Sequence, residues 1–176
     1  MVSSTVVQSS HIVEGQDNVI KNIMSNQYLP NDVEWGLLNK QLIEYAKKSD
    51  WGLYRNVRLK MAEILRREIN LKEALKTYLE ICYFDLNGFS NRGGINDPEI
   101  LKEFPPFDTT SVFIASGIVD RIRILIKKLN ITIDNVKEIF LKHNQLIYES
   151  LKLPVKPENA WKKLEIELRA VMNKNK

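Results

Sequence analysis

The chain has 176 residues, of which 44% are hydrophobic and 27% are charged. This length allows one ordinary domain with a substantial core, and the charged fraction is too close to the globular average for a disordered or a fibrous chain. The net charge of +4 comes from Lys and Arg residues in several segments. A dedicated nucleic-acid-binding module usually gathers such residues on one face, so the charge alone does not indicate that class of protein.

The cysteine content and the start of the chain predict a cytoplasmic location. Cys82 is the single cysteine of the sequence, so an intramolecular disulfide is excluded and a reducing compartment is favoured. The first residues lack the basic and apolar regions of a signal peptide, and no window approaches the 18 apolar residues of a membrane span. We therefore expect no membrane association.

In chain order, residues 1–14 show no helical period, and we expect them to form a flexible tail ahead of a single α-helical domain at 15–176. Residues 16–27 form the first predicted helix, which Pro30 terminates. Residues 33–47 carry apolar side chains at a helical spacing, and they predict the second helix.

Two amphipathic helices are predicted around Asn70. Between residues 50 and 69 the apolar side chains form one continuous stripe, which is typical of a helix buried on one side. Residues 71–86 are apolar around most of the helix circumference, and they predict the central helix of the fold. Asn87 or Gly88 should end this helix in the left-handed conformation.

This pair resembles one tetratricopeptide-type helix pair, over residues 51–86. Ala62 and Ala74 occupy the positions of small residues in such repeats, and Tyr78 occupies the position of an aromatic residue. In the family, the first helix of each pair lines a concave surface that binds an extended peptide or a partner helix. The resemblance implies that five residues of the first helix face a partner: Asn56, Leu59, Glu63, Arg66 and Arg67.

Residues 87–109 contain paired glycines and paired prolines without a sustained period, so a long connection is predicted there. We expect Phe104 and Phe107 to hold it on the helical body. Three further helices follow, from about residue 110 to 129, from Thr132 or Asp134 to residue 151, and from Pro157 onward.

The sequence offers little material for catalysis. The two histidines are His11, in the predicted tail, and His143, which falls within an apolar stripe. We interpret His143 as a core residue bonded to a polar group, and a functional residue in a pocket is the alternative. We interpret Glu80 and Asp85 as ordinary solvent-exposed residues of a helix. We therefore predict no enzyme activity, no metal site and no cofactor.

Two features of the basic residues call for an explanation. Arg58 lies within an apolar stripe, so we predict an ion pair with a carboxylate of a neighbouring helix. A basic run flanks the apolar face of the helix at 110–129, and we interpret it as a solvated surface, with contact to phosphate groups as the alternative. It consists of Arg121, Arg123, Lys127 and Lys128.

Together these patterns predict an all-α, single-domain bundle of six to eight helices with a tetratricopeptide-like pair at its centre. The predicted function is that of a non-catalytic protein–protein interaction module, or adaptor, that binds a peptide or a helix of a partner protein. The alternative is a helical nucleic-acid-binding accessory protein that uses the surface from Arg121 to Lys128. The patterns favour no particular oligomeric state.

Overall fold

A computed structural model describes residues 15–21, 33–67, 70–89 and 116–174. This part of the chain forms seven helices and contains no strand. The helices are α1 (residues 15–21), α2 (Val33–Lys47), α3 (Trp51–Arg67), α4 (Leu71–Leu86), α5 (Ser116–Leu129), α6 (Ile133–Leu151) and α7 (Pro157–Lys174). The prediction of an all-α bundle of six to eight helices is confirmed.

The helix ends follow local signals in the sequence. At the start of α6, the Thr132 hydroxyl accepts a hydrogen bond from the Asn135 main-chain N–H, while the Asn135 side chain accepts one from the Thr132 N–H, so both ends of this capping box are closed. Pro157 opens α7, as predicted. Past the end of α4, Gly88 has φ 88°, a left-handed conformation that glycine adopts without strain.

The central position of α4 is confirmed. Helices α3, α5, α6 and α7 all pack against it, and twelve of its sixteen residues are buried. Tyr78, Leu79 and Cys82 are all fully buried, as the apolar circumference of this helix predicted. The aromatic ring of Phe84 lies 6.1 Å from that of Trp51 and 5.5 Å from that of Tyr54, which ties the end of α4 to the beginning of α3.

The prediction that α3 is buried on one side only was wrong. Besides the apolar stripe, Arg55, Asn56 and Leu59 are buried. Helix α2 packs against α3 as α4 does, so α3 has neighbours on more than one side. The sequence pattern could not show this, because the additional buried positions carry two polar side chains.

The segment between α6 and α7 is fastened to the end of α4. The Tyr83 hydroxyl donates a hydrogen bond of 2.6 Å to the Val155 carbonyl, and the Val155 N–H donates one of 2.8 Å to the Asn87 side chain. Gly15 lies so close to the last turn of α6 that a Cβ atom on it would clash with the Ser150 carbonyl oxygen. Only glycine fits there without a shift of the main chain.

Several sequence-based predictions fall on residues outside the described ranges. These are the tail at 1–14 with His11, the paired glycines Gly93 and Gly94, and the strap that contains Phe104 and Phe107. Within the ranges that are described, none of the helices has the length and apolar character required to cross a membrane.

Candidate functional site

The five residues of α3 predicted to face a partner do not share one accessible surface. The side chains of Asn56 and Leu59 are buried, Leu59 with an exposed fraction of 0%. The expectation that Asn56 and Leu59 face a partner is therefore corrected, since side chains enclosed within the fold cannot reach one. Glu63 and Arg66 are partly exposed, and Arg67 is exposed.

The accessible part of this set is organised around the carboxylate of Glu63, which we call the Glu63 cluster (Glu63, Arg66, Tyr78 and Arg121). Arg66 Nη2 lies 2.7 Å from Oε2 of Glu63, and Arg121 Nε lies 3.1 Å from Oε1. The Tyr78 hydroxyl also donates a hydrogen bond to Oε1. One carboxylate thus joins α3, α4 and α5.

These contacts set the charge states within the cluster. Burial alone would raise the pKa of Glu63, but the hydrogen bonds from Tyr78 and Arg66 and the charge of Arg121 hold it below its ordinary value. Burial and the neighbouring carboxylate raise the pKa of Tyr78. At neutral pH the cluster therefore contains an ionised Glu63, a neutral Tyr78 and two guanidinium cations.

The four basic residues of the alternative surface lie on two flanks of α5. At 100° per residue, Arg123 is about 200° around the helix from Arg121, and Lys128 returns to within about 20° of Arg121. Arg121 turns toward Glu63 on α3, whereas Arg123 pairs with Asp120 of its own helix at 2.8 Å. Lys127 and Lys128 are exposed. The structure thus joins Arg121 with the α3 set rather than with Arg123.

The structure also contains a polar network that the sequence analysis missed. Glu80 is buried, although we interpreted it as helix surface. Its carboxylate accepts a hydrogen bond of 2.7 Å from Arg58 Nε, so the ion pair predicted for Arg58 is confirmed. The Tyr54 hydroxyl lies 3.4 Å from Oε1 of Glu80, and His143 Nε2 lies 3.7 Å from Oε2. This Glu80 network (Tyr54, Arg58, Glu80 and His143) connects α3, α4 and α6.

The partners of Glu80 decide its ionisation. Burial by itself would raise the pKa of this carboxyl, but the charge of Arg58 and the proximity of His143 lower it to about 2. Burial, followed by the charge of Glu80, raises the pKa of the Tyr54 hydroxyl. The carboxylate is therefore charged over the whole physiological range, and the tyrosine beside it is neutral.

A second buried pair lies nearby and was also missed. Arg55 and Asp85 form a bidentate contact, with Nε to Oδ1 at 2.8 Å and Nη2 to Oδ2 at 3.0 Å. Their side chains have exposed fractions of 2% and 0%. The sequence did contain one indication of this ion pair. Helix α4 is apolar around most of its circumference, and an acidic residue buried on such a central helix must be paired with a cation.

The remaining candidates for chemistry are confined to the interior. Burial, followed by the charge of Asp85, raises the pKa of the Cys82 thiol well above its ordinary value, which disfavours the reactive thiolate. In the described ranges, no three His, Cys, Asp or Glu side chains are grouped so that they could hold a metal ion. His143 is buried, as the interpretation of a core histidine requires.

Comparison with known proteins adds no relative. No protein-family model, no curated protein and no solved structure matches this chain. The resemblance of residues 51–86 to a tetratricopeptide pair therefore stays a prediction based on Ala62, Ala74, Tyr78 and the short connection at Asn70. The two alanines and the tyrosine are fully buried within the hairpin of α3 and α4.

Proposed function

We propose that this chain is a non-catalytic protein-interaction module of the cytoplasm, which binds a peptide or a helix of a partner protein. The observation that carries the proposal is the Glu63 cluster, where partly exposed charged groups from two helices meet at one carboxylate. Arginine is enriched in protein interfaces. Side chains already held in position lose less conformational freedom when a partner binds.

The proposed contact surface consists of Glu63, Arg66 and Arg67 on α3, together with Arg121 on α5. It replaces the five-residue concave surface expected from the sequence, because Asn56 and Leu59 are buried. The hairpin of α3 and α4 serves as its scaffold, and the tetratricopeptide-like character of that hairpin supports a scaffold role. The buried Arg55–Asp85 pair and the Glu80 network stiffen the scaffold by linking α3 to α4.

The test compares two double variants that remove the same charge. The wild type, Arg66→Ser/Arg67→Ser and Lys162→Ser/Lys163→Ser are used as baits in extracts of the native host, and partners captured by the wild type are identified and purified. Lys162 and Lys163 are exposed on α7. Their replacement therefore controls for the loss of two positive charges as such, with the proposed contact residues of α3 left intact.

The expected result is that one purified partner binds the wild type and the α7 variant with similar affinity, and the α3 variant at least about tenfold more weakly, which corresponds to about 1.4 kcal/mol. Circular dichroism and thermal melting check that both variants are folded. Equal weakening by both variants would indicate a non-specific charge effect, and undiminished binding by the α3 variant would contradict the proposed surface.

The alternative proposal is nucleic-acid binding through Arg121, Arg123, Lys127 and Lys128. The observation that favours it is the exposure of Lys127 and Lys128 near the end of α5. Affinity for a nucleic acid would fall steeply as salt rises, because phosphate contacts release counterions. Binding of a mixed-sequence DNA or RNA that weakens in Lys127→Ser/Lys128→Ser, with a steep salt dependence, would favour this function over the first.

A further inference from the structure

Glu63 differs from the other residues of the proposed contact surface because it is acidic. Helix α3 contains five basic residues and one acidic residue, Glu63. Two of the five are paired with buried carboxylates of α4, and the other three are partly or fully exposed. Arg121 of α5 adds a further cation beside Glu63. Without its single carboxylate, the proposed contact surface would therefore present cations alone.

Glu63 engages the arginines of this surface directly. Arg66 Nη2 lies 2.7 Å from Oε2 of Glu63, and Arg121 Nε lies 3.1 Å from Oε1. Arg67 Nε donates a hydrogen bond of 3.4 Å to the Glu63 main-chain carbonyl. The exposed fractions of the Arg66 and Arg121 side chains are 29% and 22%, so both are accessible from solvent. An anion that approaches these two arginines therefore meets donors that are already directed at Glu63.

We propose that Glu63 is a specificity-determining residue, whose carboxylate keeps the phosphate groups of nucleic acids off the contact surface and thereby favours a protein partner. A guanidinium forms the same bidentate contacts with phosphate as with carboxylate, so a phosphate has to compete with Glu63 for Arg66. The phosphate would also lie close to an anion, and like charges repel each other strongly at short distance. The inference rests on the proposed function, because it concerns the same surface.

A protein partner can avoid this repulsion, whereas a nucleic acid cannot. Burial alone would raise the pKa of Glu63, but Tyr78, Arg66 and Arg121 hold it below its ordinary value, so the carboxylate is ionised at neutral pH. A peptide or helix can place a cation or a neutral donor against Glu63 and an acceptor against the arginines. The backbone of a nucleic acid is uniformly anionic and offers no cation to Glu63. A repulsive group of this kind provides specificity by weakening the binding of the wrong class of partner.

The test is the binding of a short mixed-sequence DNA duplex to the wild type, Glu63→Gln and Glu149→Gln, measured by fluorescence anisotropy. Both variants remove one negative charge, and Glu149 is exposed on α6. Glu63→Gln should bind the duplex at least about fivefold more tightly than the wild type at about 0.1 M salt, with a logarithmic salt slope steeper by about one, the increment of one added phosphate contact. Glu149→Gln should bind as the wild type does. Circular dichroism and thermal melting check that each variant is folded.

The double variant Glu63→Gln/Arg66→Ser should lose most of this gain, because Arg66 supplies the added phosphate contact. The proposal is overturned if Glu63→Gln binds the duplex no more tightly than the wild type. It is equally overturned if Glu149→Gln gains as much affinity, or if the double variant keeps the full gain.

A second comparison, at low salt, needs no variant of Glu63. Arg66→Ser and Lys162→Ser each remove one positive charge, the first beside Glu63 and the second at an exposed position of α7. If Glu63 keeps phosphate away from Arg66, the two changes should weaken the residual DNA binding of the wild type equally. A clearly larger loss in Arg66→Ser would overturn the proposal even when Glu63→Gln fails to fold. Neither assay involves the protein partner, so undiminished partner binding by Arg66→Ser/Arg67→Ser would contradict the proposed function separately.

Discussion

Ionised Glu80 is expected to be one of the main acid-sensitive elements of the fold. Its pKa falls from a reference value of 4.5 to about 2 in the folded chain, because the ion pair with Arg58 outweighs the cost of burial. A difference of that size corresponds to about 3 kcal/mol of folding free energy. Since the folded-state pKa is the lower one, this stability is present above about pH 5 and is lost as the pH falls toward 2.

The assay is urea unfolding of the wild type and of Glu80→Gln at about pH 5.5, above the reference pKa of the glutamate carboxyl, and at about pH 3, below it. The free-energy gap between the two proteins should shrink by about 2 kcal/mol between these pH values, because protonation of Glu80 removes the advantage of the wild type. Glu149→Gln, at an exposed position on α6, serves as the control and should change the free energy of unfolding little at either pH. A gap for Glu80→Gln that matches the control, or that does not change with pH, would refute the ion-pair reasoning.

Three further changes test the interior. Asp85→Asn should destabilise the fold by about 3–5 kcal/mol in denaturant unfolding, because it leaves the buried Arg55 guanidinium without its charge partner; a loss below 1 kcal/mol would contradict this. Leu59→Ala should cost about 2–5 kcal/mol, whereas Leu37→Ala, at a position 57% exposed, should change the unfolding midpoint little; equal effects would show that Leu59 is not core. Gly15→Ala should weaken the packing of α1, because the new Cβ would clash with a main-chain oxygen of α6. The expected readout is faster amide exchange in residues 15–21. Unchanged exchange would show that α1 tolerates the methyl group.

The helices could be read from the sequence because their signals are local. Val33–Lys47 and Leu71–Leu86 have the bounds that the apolar period predicted, and Thr132 and Pro157 marked the beginnings of α6 and α7. The central role of α4 was also predictable, since a helix that is apolar on most sides must be covered on most sides.

The charged interior could not be predicted in the same way. Acidic residues such as Glu80 and Asp85 ordinarily face solvent, and only the approach of Arg58 and Arg55 from α3 makes their burial tolerable. Only Arg58 indicated a buried ion pair in advance, because a guanidinium within an apolar stripe requires a carboxylate. Its partner Glu80 lies on another helix, so no local sequence pattern could identify it.

The proposed contact surface was only partly predictable for a similar reason. Glu63, Arg66 and Arg67 of the predicted set lie close together on α3, where both arginines hydrogen-bond to Glu63. The burial of Leu59 depends on how neighbouring helices pack around α3. The joining of Arg121 to this set depends on the packing of α5, which a single helix cannot specify. Tertiary packing therefore determined which of the predicted residues remain accessible.

The most direct test of the account is a hydrogen-exchange footprint of the chain with and without its purified partner. If the partner binds at the Glu63 cluster, slowed exchange should be concentrated in the second half of α3 and the first half of α5, with α7 unchanged. A footprint confined to α7, or one absent from both α3 and α5, would contradict the proposed interaction surface.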